Sequence, residues 1–340
     1  MTTSDTHRLR PVSRATVADV ARLAEVSPKT VSRALSGAPN VDPTTRDRVQ
    51  RAARQLRFRP NVLARELRAG GETTTAGFVI GDPTNPFYML VAAGVERVLA
   101  REGLTLMIAA SDDESRRESV VAAALLERRI RALFLVPISD DHAYLQGERE
   151  FGTPIVAVDR PLVNVASDSV VFDNRRGARA GVQALIDAGH RRIGFVGSTE
   201  SLYTHRERLA GYRDALEANG IPIEPTLIRT DGPDITSAEA STEYLLRGAA
   251  PTAVFAGNNR AAIGVLRASR ALAHPVGLLG FDDIELADAI GLSVVAHDPQ
   301  RMGEVAAELA LTRLEEPTGL VEQVVLPTKV ILRGSERLGL

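Results

Sequence analysis

Apolar positions recur along the chain with two different periodicities, and the change falls after the first fifth of the residues. Within 15–60 they follow helical spacing in three short segments. Thr16 can cap the first segment, and Asp19, three residues on, can complete a capping box. Ser27 and Asp42, each followed by proline, can start the other two, because such residues cap helices and proline suits a first turn. The pattern predicts three short helices, the first two joined by a tight turn.

The rest of the chain alternates between short apolar runs and longer stretches of helical periodicity. This alternation favours parallel sheets covered by helices on both faces. The region is longer than one such sheet needs, so two α/β lobes are expected. The predicted strands are 76–80, 104–109, 132–136, 155–158, 169–172, 193–196, 253–256 and 276–279, with a last one around 330–332.

Composition excludes several classes of protein. The 340 residues contain no cysteine, so neither a disulfide framework nor a thiolate metal site is expected, and no cofactor is predicted. No apolar run approaches the roughly 18 residues of a membrane span. Residues 1–14 are polar and lack the apolar core of a signal peptide, so we expect a disordered tail on a cytoplasmic protein.

Charge is distributed unevenly between the two regions. Residues 1–70 contain 14 Arg and Lys against 6 Asp and Glu, whereas the other 270 contain 27 against 37. A basic segment joined to an acidic body favours binding of a polyanion, although charge alone is also compatible with a basic surface that has no partner.

Two short helices joined by a tight turn, with a third packed on them, describe a helix-turn-helix. The second helix would lie in the major groove, where Pro28, Lys29 and Arg33 reach base edges and phosphates. Arg46 and Arg51 suit the phosphate backbone, where cations set affinity and its salt dependence. A three-helix bundle that binds protein is the alternative.

The stretch VADVARLAEVSPKTVSRAL at 17–35 resembles the N-terminal signature of the lac repressor (LacI/GalR) family, and FRPNVLAREL at 58–67 agrees with it. The resemblance implies a hinge helix at 61–71 that forms on operator DNA, pairs with its twin in a dimer and wedges Leu67 into the minor groove. Two turns are marginal as an isolated helix, and apolar wedges are a known minor-groove device. Packing of Leu67 against the second region is the alternative. The residues assigned to DNA are Thr16, Arg22, Ser27, Pro28, Lys29, Thr30, Ser32, Arg33, Asn40, Arg46, Arg51, Asn61, Ala64 and Leu67.

The second region resembles the effector domain of the same family, which is similar to type I periplasmic sugar-binding proteins. The resemblance implies two lobes, joined by three crossovers, around a ligand cleft. It rests on DPTNPF at 82–87, VDRP at 158–161, FDN at 172–174, GHRRIGF at 189–195, RLAGY at 208–212, GNNRAAIG at 257–264 and GFDD at 280–283. The expected effector and dimerisation domain is 72–340, with lobes at 72–171 plus 297–321 and at 172–296 plus 322–336.

Polar residues directly after predicted strands are expected to line that cleft, because open α/β sheets bind ligands at the carboxyl ends of strands. Carboxylates, amides and arginine suit a ligand with several hydroxyls. By resemblance, Arg208 is the family's effector-contacting arginine, while a cap or turn role is the alternative for each of the others, above all Asp282. The residues assigned to the effector are Asp82, Thr84, Phe87, Asp159, Arg208, Ile235, Asn258, Arg260 and Asp282.

Two departures from the family pattern bear on the ligand. Where the family usually has Asn-Asp, this chain has Asn258-Asn259-Arg260, which adds a positive charge at the cleft edge. Ile235 stands where an aromatic residue often stacks on the ligand. Together these departures indicate an anionic effector, such as a phosphorylated or acidic sugar, as an alternative to a neutral one.

The sequence therefore predicts an all-α helix-turn-helix DNA-binding domain with a hinge helix, followed by an α/β two-lobed periplasmic-binding-protein-like effector domain. The function this favours is a homodimeric transcriptional repressor, associated with the nucleoid when DNA-bound, that a small sugar-like effector releases from a palindromic operator. A regulator that uses a purine or a phosphorylated or acidic sugar as corepressor stays open, as does a sugar-binding protein without DNA binding. An enzyme is not expected, since no nucleotide-binding loop, metal-ligand spacing or nucleophile motif occurs.

Overall fold

The computed structural model describes residues 14–59 and 73–339. Contacts divide the chain into two compact units between Thr73 and Thr74. The N-terminal tail falls outside the described residues except for its last position. The predicted hinge lies wholly outside them, together with Asn61, Ala64 and Leu67.

Within residues 14–59, the first unit contains three helices that begin at the predicted capping residues. Thr16 and Asp19 form the capping box, with the Thr16 amide donating to the Asp19 carboxylate at 2.9 Å. The Ser27 hydroxyl accepts from the Thr30 amide at 3.1 Å, and Asp42 caps its helix in the same way. Local polar chemistry thus sets all three helix starts. The helices are α1 (Val17–Leu23), α2 (Pro28–Leu35) and α3 (Pro43–Gln55).

A small core holds these helices together. Val20 of α1, Val31 of α2 and Val49 of α3 are each fully buried and belong to one cluster. Fully burying a valine contributes roughly 1.5–3 kcal/mol, so a polar substitution at any of the three would threaten the whole unit.

The second unit contains two six-stranded sheets, one in each lobe. The first sheet is parallel throughout, and the second is parallel except for one antiparallel edge strand. In spatial order the first runs β11 (Gln323–Leu326), β5 (Asp168–Phe172), β4 (Ile155–Val158), β3 (Leu133–Leu135), β1 (Thr75–Ile80) and β2 (Thr105–Ala110). The second runs β12 (Lys329–Ile331), β10 (Ser293–Ala296), β9 (Gly277–Phe281), β8 (Ala253–Ala256), β6 (Ile193–Val196) and β7 (Ile228–Arg229).

Helices cover the sheets and complete an apolar core in each lobe. Phe78 and Phe134 are fully buried in the first lobe, as are Phe195 and Phe255 in the second. Within the described ranges no helix is long and apolar enough to cross a bilayer. The helices are α4 (Pro86–Arg101), α5 (Ser115–Leu126), α6 (Gln146–Glu150), α7 (Asn174–Asp187), α8 (Tyr203–Ala218), α9 (Ile235–Gly248), α10 (Asn259–Ala271) and α11 (Pro299–Glu315).

The chain passes between the lobes three times, after Phe172, after Ala296 and after Leu326. The last passage corrects one predicted boundary. The sequence places 322–336 in the second lobe, but β11 is hydrogen-bonded to β5 in the first sheet, and only β12 joins the second. The two strands are similar short runs two residues apart, and their pairing partners depend on tertiary contacts that periodicity does not report.

Candidate functional site

Helix α2 presents one polar face to solvent. Val31 and Ala34 are buried against the other two helices, whereas Lys29, Ser32 and Arg33 are exposed. A short helix whose buried positions lie three apart leaves the opposite face free. Cationic and hydroxyl donors side by side on an exposed helix suit the reading of base edges, so the arrangement is compatible with the role predicted for these residues.

The other predicted DNA contacts near α1 and α2 also have local structural roles. The Thr16 and Ser27 hydroxyls are engaged in helix caps, and Thr30 pairs with Ser27 at 2.9 Å between their side-chain oxygens. Arg22 lies 3.4 Å from Asp19 on the surface, and Pro28 is exposed in the first turn of α2. Contact with DNA by these five residues stays a prediction.

The remaining predicted contacts lie after α2 and on α3. Arg46 is half-buried and donates to the Ala38 carbonyl at 2.6 Å, which fixes the loop that follows α2. Asn40 in that loop is exposed. Arg51 is exposed, and among the described residues it contacts the Asp47 carbonyl at 3.4 Å, so its charge is available to a phosphate.

In the second unit a cavity of about 320 Å³ lies between the two lobes. Its wall includes Asp113 and Asp159, which follow strands of the first sheet, and Asn258 and Asp282, which follow strands of the second. The volume is at the lower end of the usual range for ligand pockets, which suits a compact ligand. The carboxyl ends of both sheets thus converge on one site, as the doubly wound topology requires.

Asp282 is the most engaged side chain of the cavity wall. Its carboxylate accepts from His297 Nε2 at 2.8 Å and from the Asn259 amide at 3.2 Å, and lies 3.4 Å from Arg208. Burial raises its pKa, but Arg208 and His297 outweigh burial and bring the pKa of Asp282 to about 2. Asp282 is therefore ionised at neutral pH, and turns rather than a helix follow it, so it does not cap a following helix.

Arg208 is held on three sides. Its Nε donates to Asn174 Oδ1 at 2.8 Å, and a terminal nitrogen donates to the Gly257 carbonyl at 2.8 Å. The guanidinium lies 3.7 Å from the centroid of the Phe281 ring. These contacts fix its orientation, so the arginine serves as a rigid donor and cation of the cavity wall.

Asp159 and Arg160 form a second ion pair, on the first lobe. The Arg160 Nε lies 3.3 Å from the Asp159 carboxylate, and its terminal nitrogens donate to the Pro137 carbonyl at 3.0 Å and to the Tyr88 hydroxyl at 3.5 Å. Both side chains are buried, and a buried pair of this kind needs such additional hydrogen bonds to be tolerated.

Two polar contacts bridge the lobes at the cavity rim. Arg260 of the second lobe donates to the Asp82 carboxylate at 2.5 Å and to the Thr84 hydroxyl at 2.9 Å, both in the first lobe. Beside them the Asn259 Nδ2 donates to Asn85 Oδ1 at 2.9 Å. The charge of Arg260 is therefore compensated within the protein.

Six of the nine residues assigned to the effector line this cavity, namely Phe87, Asp159, Arg208, Asn258, Arg260 and Asp282. Asp82 and Thr84 are not part of its wall and instead hold Arg260. Ile235 is not part of the wall either, because Asp234 caps α9 and makes Ile235 its first helical residue. Pro233 lines that part of the cavity.

Sequence reasoning missed several residues of the wall. Asn85, Arg160 and Asn259 lie inside the family motifs at 82–87, 158–161 and 257–264, so those motifs held a signal for them. Asp113 lies shortly after the end of β2, where the strand-end rule held a signal for it. His205 gave no signal, since its place depends on the packing of α8. The missed residues of the wall include Asn85, Tyr88, Asp113, Arg160, His205 and Asn259.

Three buried polar atoms in the wall lack a hydrogen-bond partner among the described residues. One is Arg160 Nε, which lies 3.3 Å from the Asp159 carboxylate, and the other two are His205 Nε2 and Asn259 Oδ1. Burial, with Arg208 and Arg160 nearby, lowers the pKa of His205 to about 3, so its ring is neutral. Because His205 Nδ1 accepts from the Ser198 amide at 3.2 Å, the proton of the neutral ring is on Nε2. The wall thus offers one donor and one acceptor that a ligand can satisfy.

Comparisons with known proteins agree with both units. Residues 12–61 match the model for bacterial regulatory proteins of the lacI family, and residues 182–336 match the periplasmic binding protein-like domain. The ribose operon repressor of Haemophilus influenzae is 30% identical over 328 residues, which cover 94% of this chain and 98% of that protein.

Two solved structures extend the comparison. A complex of the transcriptional regulator CelR with cellobiose is 29% identical, with a TM-score of 0.70 over 95% of this chain and 100% of that one. The lac repressor dimer bound to operator and an anti-inducer shares the fold, with a TM-score of 0.82 at 23% identity over 95% of this chain and 99% of that one. With a relative of this similarity over nearly its whole length, the chain belongs to the LacI family of bacterial regulatory proteins and is a DNA-binding transcriptional regulator, not an enzyme.

Proposed function

We propose that the protein is a repressor that binds a palindromic operator as a homodimer and is released by a small neutral sugar bound in the cavity between its lobes. The observation that carries this proposal is the charge balance of the cavity wall. Three arginines and three aspartates line it: Arg160, Arg208, Arg260, Asp113, Asp159 and Asp282.

The pairing of these charges favours a neutral ligand over an anion. Arg208 lies against Asp282, Arg160 against Asp159, and Arg260 bonds to Asp82 just behind the wall. Since His205 is neutral, no positive charge of the wall is left in excess. An anionic ligand would have to displace these aspartates, whereas sugar hydroxyls can donate to carboxylates and accept from guanidinium groups without changing the balance.

The anionic alternative loses the two observations that suggested it. Arg260 is engaged by Asp82, and Ile235 is not part of the wall. A phosphorylated or acidic sugar, acting as inducer or corepressor, is therefore the second candidate. The names of relatives include both kinds of ligand: a ribose operon repressor and a regulator in complex with cellobiose, but also a Cra regulator in complex with fructose 1-phosphate. The preference for a neutral sugar therefore rests on the charge balance of the wall.

A second copy of the chain is the proposed partner for an exposed apolar surface on the first lobe. Met107 and Ile108 of β2 are 39% and 45% exposed, and β2 is an edge strand. Met89 and Leu90 of α4 are exposed to a similar degree. Soluble proteins rarely leave an apolar edge strand uncovered, because it invites pairing, so an interface between two copies accounts for it. Sedimentation showing only monomer at micromolar concentration, with and without operator, would contradict the dimer.

The experiment combines ligand screening with DNA release. Thermal unfolding is followed with neutral sugars, the matching sugar phosphates and sugar acids, since a ligand stabilises the fold it binds. Sugars that raise the melting temperature are then added to a gel shift with DNA selected by the protein from a random library. Release of DNA by a neutral sugar is expected. Stabilisation by phosphates or acids alone, or tighter DNA binding with ligand, would instead favour the second candidate.

A matched pair of variants connects the cavity to release. Asp159→Asn removes a carboxylate from the wall and is expected to abolish the sugar effect without weakening DNA binding. Asp140→Asn changes an exposed carboxylate outside the wall and is expected to behave like the unaltered protein. Release that persists in Asp159→Asn would mean that the effector binds elsewhere.

A further inference from the structure

Asp113 differs from the other two aspartates of the cavity wall in having no partner among the described residues. Its carboxylate makes no hydrogen bond or ion pair with any residue that the structure describes, whereas Asp159 and Asp282 each face an arginine. Its carboxylate lies over Gly81. A Cβ at Gly81 would come within 2.1 Å of Asp113 Oδ1 and 3.0 Å of the Tyr88 hydroxyl, so only glycine leaves room for the carboxylate there.

The backbone holds Asp113 in this position. Asp112 and Asp113 adopt left-handed conformations, with φ of 54° and 58°, as Asp159 and Asp282 do with φ of 69° and 75°. Residues other than glycine adopt this region at a cost, although aspartate tolerates it better than most. Three carboxylates after three strand ends thus enter the same cavity by the same backbone device.

The turn that carries Asp113 is tied to the end of β1. The Ser111 amide and hydroxyl both donate to the Ile80 carbonyl, at 2.8 Å and 3.0 Å, and the Asp112 amide donates to the Gly81 carbonyl at 3.2 Å. Ser111 is fully buried. The position of Asp113 is therefore set by the sheet and does not require a side-chain partner.

Asp113 lines the cavity but is exposed to solvent, so its carboxylate is open to a hydrogen-bond donor from a ligand. Partial desolvation raises the pKa of Asp113, and Arg160 and Arg260, which lower it, are both bonded to other groups. A carboxylate in a cavity gains most from a donor brought by the ligand, because hydrogen bonds to charged groups are the stronger ones.

We propose that Asp113 contacts the effector, accepts a hydrogen bond from one of its hydroxyls, and excludes effectors that carry a phosphate or carboxylate at that end. The inference rests on the proposed function and adds the residue that sets the charge preference of the site. Hydroxyls satisfy the carboxylate, whereas an anion beside it meets like-charge repulsion in a cavity that has no unpaired cation nearby.

The test compares Asp113→Asn with Asp112→Asn. Asparagine keeps the size and tolerates the left-handed conformation, so both variants are expected to fold. Asp112 is the matched control: it has the same conformation one residue away, bonds to Arg117 on the surface and does not line the cavity. Binding is measured calorimetrically with ribose, galactose and glucose, each beside its monophosphate.

Asp113→Asn is expected to weaken binding of the neutral sugar about tenfold, which corresponds to about 1.4 kcal/mol. The ratio of the affinity for the sugar phosphate to the affinity for the neutral sugar is expected to rise by at least the same factor. Asp112→Asn is expected to leave both within about twofold, as for an exposed ion pair. Gly81→Ala, which crowds the carboxylate, is expected to weaken neutral-sugar binding in the unaltered chain but not further in Asp113→Asn.

The outcomes separate this inference from the proposed function. Suppose that the unaltered protein binds a neutral sugar, and that Asp113→Asn binds the sugar and its phosphate with the same affinities as Asp112→Asn. The proposed function then stands, and the role of Asp113 is refuted. If the unaltered protein binds none of the neutral sugars but binds a phosphate, the proposed function fails, and the role of Asp113 in excluding anions fails with it.

Discussion

Substituting Glu118 with glutamine tests how the first lobe holds the wall of the cavity. Glu118 is fully buried, and its carboxylate accepts from the Ile138 amide at 2.5 Å and the Ser139 amide at 3.3 Å. The Tyr144 hydroxyl donates to it at 3.0 Å, and His142 Nε2 lies 3.3 Å away. Glutamine would keep the size but turn an amide group towards some of these donors.

The structure sets the size of the effect. Removing one partner from a buried charged network costs about 3–5 kcal/mol, because the remaining groups lose their compensation. For a domain of this size each kcal/mol lowers the melting temperature by roughly 2–4 °C, so Glu118→Gln is expected to melt about 6–20 °C lower. Glu114→Gln is the control, since Glu114 is exposed and makes no side-chain cap.

The same network predicts the pH dependence of the effect. Burial raises the pKa of Glu118, but the neighbouring His142 and hydrogen bonds from the Ile138 amide and Tyr144 outweigh burial and hold the pKa of Glu118 below its ordinary 4.5. A depressed pKa contributes stability above pH 4.5 that is lost as pH falls through the folded-state value. The difference in melting temperature between the unaltered protein and Glu118→Gln should therefore shrink in acid.

The assay is thermal unfolding followed by circular dichroism between pH 3.5 and pH 7.5, with calorimetric sugar binding at pH 7. Ile138 lines the cavity, and the neighbouring Pro137 carbonyl accepts from Arg160, so Glu118→Gln is also expected to weaken sugar binding. Melting of Glu118→Gln within about 1 °C of the Glu114→Gln control, or a difference that grows in acid, would refute this account of the network.

Two further predictions concern the DNA face and the contact between lobes. Arg33→Ala should weaken binding to selected DNA more than to random DNA, whereas Arg51→Ala should weaken both alike; equal losses in a gel shift titrated with salt would contradict the roles assigned to them. Arg260→Gln should break the ion pair with Asp82. The sugar concentration that releases half of the DNA should then shift by about three- to tenfold, which is the size of effect expected from the loss of a partly exposed ion pair between the lobes. An unchanged midpoint would show that the bridge does not bias the lobes.

The helices of the DNA-binding unit could be predicted almost to the residue because local chemistry sets them. Thr16, Ser27 and Asp42 cap their helices through their own neighbours, and no tertiary contact is needed to recognise them. Most inner strands were equally accessible, since buried parallel strands are short apolar runs. The exception is β10, an inner strand of the second sheet that is absent from the predicted strands. The assignment of β11 and β12 to different sheets was not accessible, because two similar runs gain their partners only in the folded chain.

The residues of the cavity also include some that could be predicted from the sequence and some that could not. Asp159 and Asp282 could be predicted from their motifs and from the rule that ligands bind beyond strand ends, and both line the cavity. Arg260 could be predicted as part of the wall, but not the compensation of its charge, since its partner Asp82 lies 178 residues away in the other lobe. A charge in a sequence predicts an anionic ligand only if the fold leaves that charge unpaired. By the same reasoning, Asp113, the aspartate of the cavity wall that has no partner among the described residues, is the one whose charge should decide which ligands enter.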